Sequence, residues 1–596
     1  MKNAISKRIN NVWSAFFLLL PKIYKAAPFL FVVTLCVNIL HGFSMGAITF
    51  FNQRMFDSVA YFAEGNIEFQ TAVLSLIVVG IVNVLNQILN GVGNFLPQVF
   101  DEKAQGVLGI SLHHKMAKLP PIYFENKSLL DDINKASKGK SDAVFFIMMC
   151  FSLLCFYIPY FIFMSLYLFY LKPIFIITIV LIFIPSFFTQ AIKTKIIAKL
   201  EDKSAPIRRE FEYYGRCIVD REYFKETRLL GGFSYFIKLC KDSLHLLNKT
   251  QFSALTKTNL YELCMKLVSV AGYLGVLYLL FDALMKSEIS IGAFSAVFAS
   301  IGMLFSIMEE VVCRHIGPIA SNLGTIRNYY NFMNLEVRNG TNEKPSVTGS
   351  IIFKDVSFFY PGCTISAIKD INLKINNGET VAIVGENGSG KTTLVKLLTG
   401  LYEPSSGDVF YDNINTKNIS QQSMHKNITA VLQRYQRYQM TLGENIVISE
   451  MSKVFTLDEL NNACNNAGVT FNQDPFIYEY DTILSREFDG IDLSGGQWQK
   501  IAIARGIYRT HEIIALDEPT SAIDPMEETR MYQQFAKISS EKTAIVVTHR
   551  IGSARIANRI YVMKEGELVE SGTHFELLEA DGEYSRLYHC QEKWYK

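Results

Sequence analysis

Charge is scarce in this sequence. Only 19% of its 596 residues are Asp, Glu, Lys or Arg, against 49% hydrophobic residues that include 44 Phe and 29 Tyr. A soluble enzyme has no need of so apolar a composition. The charges nearly cancel, at a formal net charge of +2, so no basic surface for nucleic acid is implied. The 10 Cys are scattered, with no CxxC pair and no His-rich neighbour, so nothing suggests a zinc site. Cys36, Cys150, Cys155 and Cys264 sit inside apolar runs and read as small hydrophobes in a reducing or membrane setting. The basic opening MKNAISKRINN is not expected to be a cleavable signal, because it leads into several long apolar segments rather than one short run with a small-residue cleavage site. The length, finally, excludes a single core and calls for two or more domains.

The apolar excess lies in the first half. Stretches of bilayer-crossing length fall near 27–51, 70–97, 143–170, 173–191, 260–284 and 289–308, which predicts six membrane helices within a domain spanning 1–335. Lys and Arg concentrate before the first span and in the second and fourth loops, for example Lys7, Arg8, Lys115, Lys118, Lys193 and Arg208. The odd-numbered loops carry only Arg54, Lys172 and Lys286. Both termini are therefore expected on the cytoplasmic side, with the two long basic loops projecting there as helices. Pro159 and Pro185 are expected to kink their helices. Glu262 with Lys266, and Glu310 with Arg314, are spaced for i,i+4 ion pairs.

Asn83, Gln87, Asn90 and Asn94 recur at helical spacing and share one face of the second span, with Asn86 beside them. Amides are costly in lipid, so this face should meet protein or water. Two readings stay open: the wall of a polar pathway, or interhelical hydrogen bonding between packed spans.

From 336 to 349 the chain turns polar and reads as a linker, and from 350 to 596 strands and helices alternate as in an α/β domain. There a strand-like TVAIV run leads into Gly385, Glu386, Asn387, Gly388, Ser389, Gly390, Lys391 and Thr392, which satisfy G-x-x-x-x-G-K-[ST] at every fixed position. The glycines let backbone N–H groups turn inward around phosphates, and the following helix adds positive potential at its N-terminus. Lys391 is placed to reach the β- and γ-phosphates, Thr392 to ligate Mg²⁺, and Thr393 to extend the nucleotide contacts. Further on, an apolar strand ends in Asp517 and Glu518, placed to hold Mg²⁺ through water and to orient or deprotonate an attacking water. Leu493, Ser494, Gly495, Gly496 and Gln497 precede that strand and open a helix, offering a second N-terminal anion site.

With the LSGGQ sequence, the second half resembles the ATPase domain of ATP-binding cassette (ABC) transporters, for which that pentapeptide is the signature. The resemblance implies that Tyr360 stacks on adenine, that Gln433 touches Mg²⁺ or the lytic water, that Asp524 belongs to a loop crossing to the partner subunit, and that His549 contacts the γ-phosphate. It further implies that two such domains stack head to tail, each ATP lying between one phosphate loop and the other subunit's signature, so that a homodimer in the lipid bilayer is expected.

Membrane spans ahead of one ATPase domain resemble the exporter branch of the family, so the fold class expected is an all-α six-helix transmembrane domain followed by an α/β P-loop ATPase. The GQWQKIAIAR and REYFKETRLLGG stretches look similar to bacterial exporters of modified peptides such as lantibiotics. The stretches around Tyr123 to Lys135 and Arg221 to Leu230 correspond to coupling helices in that family. With no peptidase domain ahead of the first span, a leader peptide would have to be removed by a separate peptidase, and modifying enzymes are further expected partners. The residues before the signature, Ser485 to Gly490, depart from the TEVGERG-like pattern of many exporters. The resulting expectation is ATP-driven export of a peptide across the bacterial cytoplasmic membrane. The alternatives are a lipid or multidrug exporter and, from another class, an ATP-gated channel or regulatory membrane protein.

Overall fold

The computed structural model describes residues 11–337, 350–412, 414–454, 456–469, 476, 478–518 and 542–595. It divides into two compact units, one formed by Met1–Lys115 with Asp132–Asn334 and the other by Met116–Asp131 with Leu335–Lys596. The stretch 116–131 thus packs with the C-terminal half, although it lies within the expected first domain.

The first unit is helical. Among the described residues, five helices are long and apolar enough to cross a membrane: Pro28–Ala63, Phe69–Ala117, Asp131–Leu171, Phe233–Met285 and Ile291–Met333. The expected span at 173–191 lies at the start of a further helix, Ile174–Val219. At about 1.5 Å per residue these helices outrun a hydrocarbon layer of about 30 Å, so each continues well beyond it. The breaks between them follow local chemistry. Pro28 opens a helix where its missing N–H costs nothing, and Gly65 (φ +77°) turns the chain before Phe69. Ser290 caps the helix Ile291–Glu310 by accepting the Ala293 N–H at 3.0 Å. Pro159 follows a π-helical turn at Leu153–Tyr157, which absorbs the carbonyl its ring would strike. The helix through Pro185 runs on without a break.

Close helix crossings rest on glycine. A Cβ on Gly42 would stand 2.3 Å from the Phe156 carbonyl, and one on Gly139 would stand 2.1 Å from that of Thr325. Polar groups tie helices together elsewhere: Thr49 donates to Ser300 at 2.9 Å, and the Gly292 N–H donates to Asp57 Oδ1 at 2.9 Å. The expected Glu262–Lys266 pair is present at 3.5 Å and extends to two more helices, through Lys193–Glu262 at 3.0 Å and Lys266–Glu309 at 2.9 Å. Glu310 and Arg314 pair at 3.4 Å on an exposed face.

The second unit carries two sheets. An antiparallel one is ordered β2 (Ile368–Ile375), β1 (Ile351–Phe358), β4 (Ser406–Tyr411), β5 (Ile414–Asn415). The other runs β10 (Glu567–Gly572), β9 (Arg559–Lys564), β3 (Thr380–Gly385), β8 (Thr543–Val547), β7 (Ile513–Asp517), β6 (Ile428–Val431). In the latter, β9, β3, β8, β7 and β6 are parallel neighbours. Such strands are covered on both faces and read as unbroken apolar runs, and β7 and β8 are buried at every position. Because neighbouring strands run the same way, their carboxyl ends lie along one edge, where α/β sheets bind ligands. Four of them, in spatial order β3, β8, β7 and β6, lead into the phosphate loop, His549, Asp517 with Glu518, and Gln433.

Candidate functional site

The phosphate loop is a cradle that only glycine permits at its closest points. Gly385, Gly388 and Gly390 take φ of +152°, +83° and +102°. A Cβ on Gly385 would lie 2.2 Å from the Met563 carbonyl, and one on Gly390 would lie 2.8 Å from that of Ala367. The helix Lys391–Leu398 starts immediately after, so its free N–H groups face the cradle. The Lys391 ammonium is buried, donates to the Gly385 and Glu386 carbonyls at 2.9 Å each, and is pushed down from the usual lysine range by desolvation. The Ser389 hydroxyl in the same loop is buried with no protein partner.

Tyr360 stands beside the loop, its hydroxyl 3.1 Å from Thr393 Oγ1. Lys396, one turn into the helix, lies over the rings of both Tyr360 (5.6 Å) and Tyr402 (4.8 Å). Nothing in the sequence singled out Lys396 or Tyr402, because only the fold brings them to Tyr360. The Tyr402 hydroxyl donates to Glu125, which also lies 3.4 Å from Lys396. The Tyr402 hydrogen bond holds the Glu125 carboxyl below its ordinary range. Glu125 ends the short turn Pro121–Glu125, whose Ile122 packs on the core of the antiparallel sheet. The expected coupling stretch near Tyr123 is thereby joined to the tyrosine expected to stack on adenine. The other expected stretch forms the helix Phe224–Leu229, with Leu229 and Leu230 exposed at its end.

Asp517 is fully buried at the end of β7. Thr392 Oγ1 donates to its Oδ1 at 3.4 Å, and its Oδ2 has no hydrogen-bond partner. Burial raises its pKa to about 6. An orphaned carboxylate oxygen beside a threonine hydroxyl suits a hard cation with oxygen ligands such as Mg²⁺. The next residue, Glu518, adopts φ +48°, a left-handed conformation that costs free energy for a non-glycine residue and turns its side chain off the strand. The Gln433 amide donates to Glu518 Oε2 at 2.8 Å, and His549 Nδ1 lies 3.4 Å from Oε1. Tyr360, Asn387, Gly388, Gly390, Lys391, Thr392, Thr393, Gln433, Glu518 and His549 all border one open cavity of about 720 Å³.

The signature residues stand elsewhere. Ser494 caps the helix Gly495–Tyr508, accepting from the Gln497 N–H at 3.3 Å while Gln497 accepts from the Ser494 N–H at 2.9 Å. Leu493, Ser494, Gly495, Gly496 and Gln497 do not border the cavity. The same helix nonetheless fixes the loop after Gln433. Arg505 donates to the Asn445 carbonyl at 2.7 Å and to Asn445 Oδ1 at 3.0 Å, and the Tyr435 hydroxyl donates to the Gly495 carbonyl at 2.8 Å. The divergent stretch from Ser485 to Gly490 closes on itself through Gly490 N–H to the Ser485 carbonyl at 2.8 Å, and Gln439 reaches its Glu487 at 3.0 Å. Asp524 lies outside the described residues.

In the helical unit, Asn83, Gln87, Asn90 and Asn94 share an exposed face of Phe69–Ala117. Their hydrogen bonds stay within that helix, Asn83 to the Val79 carbonyl and Asn94 to Asn90, whereas the neighbouring Asn86 accepts from Ser44 of another helix at 2.9 Å.

Residues 368–521 match the family model described as "ABC transporter". The chain is 34% identical over 372 residues to the subtilin transport ATP-binding protein SpaT of Bacillus subtilis, covering 61% of this chain and 60% of that protein. It is 38% identical over 245 residues to the nisin transport ATP-binding protein NisT of Lactococcus lactis, 41% of each. It is also 30% identical over 319 residues to the ATP-dependent lipid A-core flippase of Pasteurella multocida, 53% of this chain and 54% of that one. The chain therefore spans about half of these relatives' own lengths. The structure of a bacterial Atm1-family ABC exporter with ATP bound superposes with a TM-score of 0.78 at 19% identity, covering 94% of this chain and 98% of that chain.

Proposed function

Because the chain carries an ABC transporter ATP-binding domain on the fold of an ABC exporter, we propose that it couples ATP binding and hydrolysis to outward movement of a substrate across the bacterial cytoplasmic membrane. The observation that carries this reading is the convergence on one cavity of the Lys391 cradle, the Gln433–Glu518 hydrogen bond and His549. Tyr360 would cover the adenine, and Lys391 with the loop N–H groups would hold the phosphates. Glu518 would orient the attacking water and take its proton as the bond to the ADP oxygen breaks, with His549 at the γ-phosphate. Mg²⁺, held by Thr392, Asp517 and Gln433, would neutralise phosphate charge.

The substrate proposed is a peptide, in keeping with the similarity to the subtilin and nisin transport proteins. The exposed amide stripe at Asn83, Gln87, Asn90 and Asn94 fits the wall of a polar pathway, since it makes no interhelical bond within the chain among the described residues. The flippase relative supports a second reading, a lipid substrate. Both termini would be cytoplasmic. The signature residues lie apart from the chain's own cavity, which suits a homodimer in which Ser494 to Gln497 meet the partner's ATP and the loop bearing Asp524 crosses between subunits. Leader peptidase and modifying enzymes would act on the peptide separately. The test is Mg²⁺-ATPase activity of the protein in proteoliposomes: stimulation by a peptide supports the first reading, stimulation by lipids alone the second, and no hydrolysis under any condition contradicts both.

A further inference from the structure

The C-terminal helix Glu583–Tyr595 touches two loops of the nucleotide site, and no motif in the sequence singles it out. It is rigidly mounted at its start. Glu570 on β10 accepts the Tyr584 N–H at 3.0 Å, Lys564 on β9 pairs with Glu583 at 3.1 Å, and the fully buried Tyr584 places its hydroxyl 2.7 Å from His574 Nδ1. One turn along, Arg586 bridges Glu583 to Glu386 of the phosphate loop. A further turn along, Gln591 faces the loop that follows β8.

There its side-chain amide acts as a strand would. Oε1 accepts the Ile551 N–H at 2.9 Å, and Nε2 donates to the His549 carbonyl. An amide offers a donor and an acceptor side by side, so one side chain satisfies backbone groups on both sides of Arg550. Other bonds act beside it: Thr548 Oγ1 accepts the Arg550 N–H at 2.9 Å, the Ser553 N–H reaches the Arg550 carbonyl at 3.1 Å, and the Thr548 N–H reaches the Ile383 carbonyl at 3.2 Å. The His549 side chain is 44% exposed, so its place near Glu518 depends on its backbone more than on packing.

We propose that Gln591 is a positioning residue for ATP hydrolysis: its amide fixes the backbone of the loop that follows β8, so that His549 meets Glu518 and the γ-phosphate in register, and the helix Glu583–Tyr595 sets that register from outside the known motifs. The proposal rests on the ATPase reading. Misplacing a reacting group by about 1 Å costs turnover without weakening a binding cradle elsewhere.

Two measurements on the full-length protein test it with Gln591→Ala and Gln591→Glu. Amide hydrogen exchange across 548–551 should quicken clearly in Gln591→Ala, since Ile551 loses its acceptor. It should quicken less in Gln591→Glu, which keeps an acceptor and loses only the donor. Unchanged exchange overturns the proposal whether or not the protein hydrolyses ATP. In the Mg²⁺-ATPase assay, Gln591→Ala should lower kcat about tenfold, the scale of one or two backbone hydrogen bonds, with KM for ATP within about twofold of the parent. Unchanged kcat, or a loss carried by KM alone, overturns the positioning role and leaves the ATPase reading standing. An inactive parent protein contradicts the ATPase reading itself, and with it the role assigned to Gln591.

Discussion

Gln433 and Glu518 are joined by a hydrogen bond of 2.8 Å from the glutamine amide to Glu518 Oε2. They sit at the ends of neighbouring parallel strands, β6 and β7, so the contact follows from strand order rather than from sequence proximity. It holds the carboxylate in the cavity at a backbone angle that glutamate rarely adopts. Glu518→Gln keeps the side chain's size and removes its basicity. ATP affinity should stay within a few-fold of the parent, while turnover falls by about 100-fold or more. Nucleotide binding and single-turnover hydrolysis, measured side by side, check this. Unaltered turnover would remove Glu518 from its assigned role.

Lys391 is tied into the loop by two carbonyls and shielded from water. Lys391→Ala removes the buried ammonium of the phosphate loop, and with it a charge-assisted contact to the phosphate oxygens. Loss of a charge-assisted contact of this kind weakens ATP binding by about 10- to 100-fold. Titration with a fluorescent ATP analogue measures it, and parental affinity would count against the phosphate-loop assignment.

Asp517 binds a cation only when ionised, and burial raises its pKa to about 6. Protons therefore compete with Mg²⁺ below that pH, and the affinity should fall by up to about tenfold per unit as pH drops through it. The stability effect has the opposite sign. Because the folded pKa is raised, the contribution of this group to the metal-free domain is present below about pH 4, the unfolded value, and is lost as pH rises through about 6. Calorimetric Mg²⁺-nucleotide titrations at pH 5.5 and 7.5 should differ more in the parent than in Asp517→Asn. A flat profile in the parent contradicts the assignment.

Glu125 accepts from the Tyr402 hydroxyl, and Tyr402 shares Lys396 with Tyr360. Glu125→Ala should leave basal ATPase near the parental rate, because no group in the cavity is removed, and should reduce substrate stimulation several-fold. Undiminished stimulation would show that this contact carries no signal.

The candidate site was legible because its motifs are local: the phosphate loop, the acid pair and the signature each fit within a few consecutive residues. The apolar runs likewise fell on the five helices long and apolar enough to cross a membrane among the described residues, while the expected run at 173–191 is not one of those five, and the i,i+4 rule found Glu262 with Lys266. What stayed hidden depends on contacts between distant segments. Lys396, Arg586 and Gln591 have ordinary helical surroundings in sequence, and only strand order places them near Tyr360, Glu386 and His549. The Glu262–Lys266 pair likewise extends to Lys193 and Glu309 on other helices, which spacing within one helix cannot show. The amide stripe was visible as periodicity, yet periodicity alone could not tell interhelical bonding from an open polar face.

The most direct test of ATP-driven peptide export is uptake into inverted proteoliposomes containing the purified protein, with candidate precursor peptides outside and Mg²⁺-ATP supplied. Accumulation of one peptide that requires ATP, accompanies stimulated hydrolysis and disappears in Glu518→Gln is the predicted result. Hydrolysis that no peptide stimulates, with no peptide accumulating under any condition, would contradict it.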